Sequence, residues 1–72
     1  MSRPEVNAAR VRVAQGVMAL DDHRVYSTRE IAALVGLPPA NTGGFLAGMA
    51  RRHQLVERVG KRQWRRRKVA VM

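Results

Sequence analysis

At 72 residues and 8.1 kDa the chain is one small domain, and a chain that short buries only about 60% of the surface it exposes when unfolded. It has no cysteine, which excludes disulfides, thiolate metal sites and a cysteine nucleophile. Its net charge of +9 is lopsided: residues 1–50 carry five basic against four acidic side chains, whereas residues 51–72 carry nine basic against Glu57 alone.

Taken in chain order, "MSRPEVNAAR" lacks the apolar region of a signal peptide, and no run approaches the ~18 apolar residues of a membrane span. A soluble, cytoplasmic protein is expected. Pro4 suits the first turn of a helix preceded by Ser2 or Arg3, and Glu5 falls where the helix dipole favours a negative charge. Val6, Ala9, Val13, Val17 and Leu20 then recur at helical spacing, so a first helix is expected from about Pro4 to Leu20. Arg10, Arg12 and Gln15 lie off that stripe.

Asp21-Asp22 breaks the pattern and "RVYS" follows as a short extended piece, expected as a two- or three-residue strand. "STRE" at Ser27 to Glu30 has the form of a capping box, which starts a second helix. Ile31, Leu34 and Val35 are its expected buried side; Gly36, then Leu37 and Pro38, end it. A third helix restarts at Pro39, with Phe45, Leu46 and Met49 as its core stripe. After "RRHQ", Leu55–Val59, a turn at Gly60–Arg62 and Gln63 to about Val69 read as strand, turn, strand. Within that last strand Trp64, Arg66 and Lys68 share one face and Arg65 and Arg67 the other. Trp64 is expected in the core under helix one, and arginines on its face would have to lead their charges past the sheet end.

The expected fold is therefore mainly α with a small β-hairpin: helix, short strand, helix, helix, two-stranded wing, as a single domain with its core over about 5–68. "STREIAALVGLPPANTGGFLAGM" and "QLVERVGKRQW" carry a resemblance to winged helix-turn-helix domains of small bacterial and phage transcription regulators. The resemblance implies that helix three enters the major groove of double-stranded DNA, with Asn41, Thr42, Gly44, Gly48, Arg51 and Arg52 on its exposed side. It implies equally that the wing lies on the phosphate backbone through Arg58, Lys61, Arg62, Arg65, Arg66, Arg67 and Lys68. Asn41 and Arg51 are the best base readers by chemistry, since Asn pairs bidentately with adenine and Arg with guanine.

Three features depart from that family's pattern. Gly43, Gly44, Ala47 and Gly48 stand where reading helices usually carry polar side chains, and each mid-helix glycine costs roughly 0.5–1 kcal/mol relative to alanine. The wing contains an arginine run at Arg65–Arg67. The sequence stops about four residues past the wing, so a homodimer would have to form through helix one or the "VAVM" tail.

Concentrated positive charge repels itself unless a polyanion relieves it, which makes nucleic acid the expected partner. The alternative is an interaction module that places its basic surface on an acidic host protein or a nucleoprotein. No membrane association and no cofactor are expected. His23 and His53 lie far apart without further ligands, Asp21-Asp22 reads as a solvated turn, and Ser27 is accounted for by capping, so no enzymatic activity is expected.

Overall fold

The structure is a computed structural model that describes residues 4–68, with side chains from residue 7 onward. The expected cap at Ser2 or Arg3, the core position of Val6 and the "VAVM" tail lie outside the described residues. Three helices and three strands follow in the order α1 (Pro4–Met18), β1 (Val25–Ser27), α2 (Thr28–Val35), α3 (Pro39–Arg51), β2 (Val56–Gly60) and β3 (Gln63–Arg66). The strands form one antiparallel sheet in the order β1-β3-β2.

That sheet corrects the expected two-stranded wing. The short strand expected at "RVYS" forms over Val25–Ser27 and joins the hairpin: Val25, Tyr26 and Ser27 pair with Arg65, Trp64 and Gln63, so β3 is the central strand. The last strand ends at Arg66, short of the expected Val69, and its partner begins at Val56, because Leu55 adopts a left-handed φ of 58°. A bulge between Arg58 and Gly60 leads into the Lys61–Arg62 turn, where Arg62 is also left-handed. The Arg62 carbonyl accepts the Thr28 amide across 3.1 Å, which ties the turn to the start of α2.

Local sequence sets the helix boundaries. Ser27 Oγ accepts from the Glu30 amide at 3.1 Å while the Glu30 carboxylate accepts from the Ser27 amide at 3.0 Å, completing the capping box. Gly36, at φ 70°, closes α2 with its amide donating to the Ala32 carbonyl. Helix α1 ends at Met18 rather than Leu20, but Ala19 and Leu20 continue in tighter turns onto the Gly16 and Val17 carbonyls, which keeps Leu20 buried.

The core gathers Val13, Val17 and Leu20 from the α1 segment, Ile31 and Val35 from α2, Leu46 and Met49 from α3, and Tyr26, Val56 and Trp64 from the sheet. Gly16 permits the close approach of α1 to α2: a Cβ there would collide with Val35 Cγ1. Two expected core positions move. Leu34 is 64% exposed, because Ala32 rather than Leu34 joins Ile31 and Val35 on the buried side. Phe45 is only half-buried and packs at the core margin.

Trp64 is in the core, but its polar atom finds a partner away from helix one: Nε1–H donates 2.8 Å to Thr28 Oγ1 at the head of α2. The inner face of the sheet carries Trp64 with Arg66 beyond it. Arg66 solves the burial problem by donating from Nη1 to the Leu20 carbonyl at 3.2 Å. The outer face carries Arg65, whose guanidinium meets Glu57 Oε1 at 2.6–2.8 Å.

Candidate functional site

Helix α3 has a bare outer surface between two open clefts. Six of the 13 residues of α3 are Ala or Gly, which leaves nothing longer than a methyl group at Ala40, Gly44, Ala47 and Gly48. The fold itself does not require the glycines. A Cβ at Gly44 would meet open space, and at Gly43 or Gly48 it would come no closer than 3.4 Å to another atom.

On the wing side, α3 and the sheet enclose a cleft of about 470 Å³ whose floor is Ala47, Gly43 and Trp64. Arg29 from α2, Arg58 from β2 and Arg62 from the turn border it, and Arg51 joins Arg58 in the hollow that continues it along Ala47 and Ala50. Three of the four guanidiniums have a separate structural reason to be there. Arg29 follows the capping serine on the exposed first turn of α2. The Thr28–Arg62 backbone bond brings the turn beside it, and the cross-strand register sets Arg58 opposite Trp64. None of the four has a carboxylate within 4.0 Å among the described residues. The described ion pairs use Arg24 with Glu30, Arg65 with Glu57 and His23 with Asp22.

On the other flank, α1 and α3 enclose a second cleft of about 440 Å³. Asn41, Gly44, Gly48 and Arg52 line it together with Arg10 and Phe45. The residues expected on one reading face are thus divided: Asn41, Gly44, Gly48 and Arg52 lie toward α1, and Arg51 lies toward the wing. Thr42 is on neither side. It is fully buried, and its hydroxyl donates to the Pro38 carbonyl at 3.1 Å, which corrects its expected exposure.

The expected wing set divides as well. Arg58 and Arg62 face the wing-side cleft, Lys61 is exposed at the turn tip, and Arg65 and Arg66 are engaged by Glu57 and Leu20. Arg67 and Lys68 border a hollow with Met18 and Leu55 instead. Sequence reasoning misses Arg29 and Arg10. Each is visible as a basic residue off its helix's apolar stripe, but only the packing of helices and sheet shows which cleft it borders.

Two neighbouring features are local structure. Asp21 Oδ1 accepts the His23 amide at 2.8 Å in an exposed turn, and Asp22 meets His23 Nε2 at 3.3 Å. The Glu30 carboxyl is held below its ordinary value, first by the Ser27 amide and then by the Arg24 charge. Among the described residues no helix is long and apolar enough to cross a membrane. Comparison of the chain with protein families, curated proteins and solved structures finds no match.

Proposed function

We propose that this chain is a winged helix-turn-helix module that binds double-stranded DNA, as a small transcription regulator or an accessory DNA-binding factor. Helix α3 enters the major groove, and the β2–β3 wing follows the adjacent backbone. The observation that carries this reading is the convergence of Arg29, Arg51, Arg58 and Arg62 on one cleft and the hollow that adjoins it, with no carboxylate of the described residues within 4.0 Å to neutralise them. Uncompensated guanidiniums at that density match a row of phosphates, which they bind bidentately.

The bare surface of α3 supports the same reading in a particular form. With only methyl groups and backbone along its centre, the helix makes few hydrogen bonds to base edges. Affinity then comes chiefly from phosphate contacts, and direct reading falls to Asn41 and Arg51 at the two ends of the helix. An electrophoretic shift screen over the chain's own upstream DNA, with random duplex as competitor, tests the proposal. A retained band that random duplex removes only in large excess is expected. No shift with any duplex at low salt would overturn it.

A further inference from the structure

The flank of α3 turned toward α1 has a different chemistry from the wing side. Its cleft has an apolar floor of Ala14, Phe45, Met49 and Leu55. Leu55 also lines the next hollow, where the floor continues to Met18, which is 57% exposed. The charged residues that border these two hollows, which meet at Leu55, are cationic: Arg10 and Arg52, beside Asn41 and Gln54, border the first, and Arg66, Arg67 and Lys68, beside His53, the second. Among the described residues no carboxylate lines either part.

Leu55 sits at the junction in a backbone conformation that a branched side chain rarely adopts, at φ 58°. It is held there from both sides. The Arg67 amide donates to the Leu55 carbonyl at 2.7 Å, and the Val56 amide closes a tight turn onto the Gln54 carbonyl. The result keeps a leucine half-exposed between two hollows. Strained positions that the surrounding structure enforces concentrate at binding sites.

Charge decides among occupants. A second copy of this chain would bring rim against rim, and the chain already carries net +9, so like charges oppose that pairing. Duplex DNA offers phosphates for the rim but, apart from thymine methyl groups, little apolar surface to cover Phe45, Leu55 and Met18 together. A protein segment with apolar side chains along one side and carboxylates along both edges satisfies floor and rim together. We infer that the α1–α3 groove is a docking surface for an acidic amphipathic segment of a partner protein, seated on Phe45, Leu55 and Met18 and flanked by Arg10 and Arg52. This surface shares Asn41 and Gly44 with the proposed reading helix, but its apolar floor and cationic rim are separate from the wing-side cleft, and the inference does not depend on the DNA reading.

The test is a fluorescence-anisotropy titration of the full chain against a short fluorescein-labelled peptide carrying Leu and Phe on one helical side and Glu along both edges. Saturable binding is expected. Replacing the peptide's Leu and Phe by Ser should weaken it at least about tenfold, which is ~1.4 kcal/mol, and so should the double variant Arg10→Glu/Arg52→Glu. Both arginines are exposed, so the variant should keep the wild-type circular dichroism spectrum. Arg58→Gln/Arg62→Gln should leave peptide affinity unchanged, which separates this surface from the wing-side cleft whichever way the DNA experiment turns out. As a readout free of any variant, amide chemical-shift changes in the wild-type protein should centre on Phe45, Leu55 and Met18. Equal binding of the Ser-substituted peptide would reveal charge attraction alone and overturn the inference. So would full affinity in the Arg10/Arg52 variant, or shifts centred on Arg58 and Arg62. Phosphatidylserine vesicles that displace the peptide and lose binding in the same double variant would assign the groove to a membrane surface and overturn it too.

Discussion

The Trp64 indole and the Thr28 hydroxyl, 36 residues apart in sequence, are joined by a buried 2.8 Å hydrogen bond that fastens the central strand to the first turn of α2. It also sets the floor of the wing-side cleft, since both residues line that cleft. Thr28→Val keeps the shape but leaves a buried indole N–H without a partner, which costs about 1–3 kcal/mol. Thr28→Ser should cost less. Urea denaturation followed by tryptophan emission checks both, and equal stability of the Val and Ser variants would show the bond to be unimportant.

The Ser27–Glu30 capping box makes a prediction about pH. The Ser27 amide and Arg24 hold the Glu30 carboxyl below its ordinary value of 4.5. A carboxyl whose folded value is depressed contributes stability above its unfolded value and loses it as pH falls through the folded one. Glu30→Gln should therefore lower the melting temperature near neutral pH and lose that difference in acid. Ser27→Ala should cost about 1 kcal/mol. Parallel melting curves at all pH values for wild type and Glu30→Gln would contradict this.

Helix facing can be read from a matched pair. Leu46 is fully buried and Leu34 largely exposed. Leu46→Ala should cost about 2–5 kcal/mol, while Leu34→Ala should stay within about 0.5 kcal/mol of wild type. Chemical denaturation of both settles the orientation of α2 relative to α3.

Glycines at two sites should respond with opposite signs. A Cβ at Gly44 meets open space, so Gly44→Ala should stabilise α3 by about 0.4–1 kcal/mol. At Gly16 the added carbon meets Val35, so Gly16→Ala should destabilise by about 1–3 kcal/mol. If Gly44→Ala raises the melting temperature yet weakens duplex binding, close approach of DNA to the α3 backbone is the reason for glycine there.

The arginines should separate by their partners. On duplex DNA, Arg58→Gln/Arg62→Gln should flatten the plot of log affinity against log salt by about 0.9 for each phosphate that the variant no longer neutralises. Cognate and random DNA should weaken alike. Arg65→Gln should change the slope less, because Glu57 already neutralises Arg65. An unchanged slope in the Arg58/Arg62 variant would remove the wing from the backbone.

What the sequence by itself determined was local. The capping box at Ser27–Glu30 and the left-handed glycine at Gly36 depend on residues three or four apart. For that reason the start and end of α2, the restart at Pro39 and the turn before Gln63 were legible without a fold. The crowding of positive charge after residue 50 was legible in the same way. Only the tertiary structure decided where those charges point, because that depends on pairings distant in sequence. The pairing of β1 with β3 added the short strand expected at "VYS" to the hairpin as its third strand, and the Thr28–Arg62 and Arg66–Leu20 bonds brought Arg62 beside Arg29 while turning Arg66 inward. The orientation of α3 was hardest to read. In a helix where six of 13 residues are Ala or Gly the apolar stripe has little contrast, and a shift of one residue turns a helix by about 100°. Thr42 could go inside because its hydroxyl is satisfied by the Pro38 carbonyl one turn back, and that sends Asn41 to one flank and Arg51 to the other.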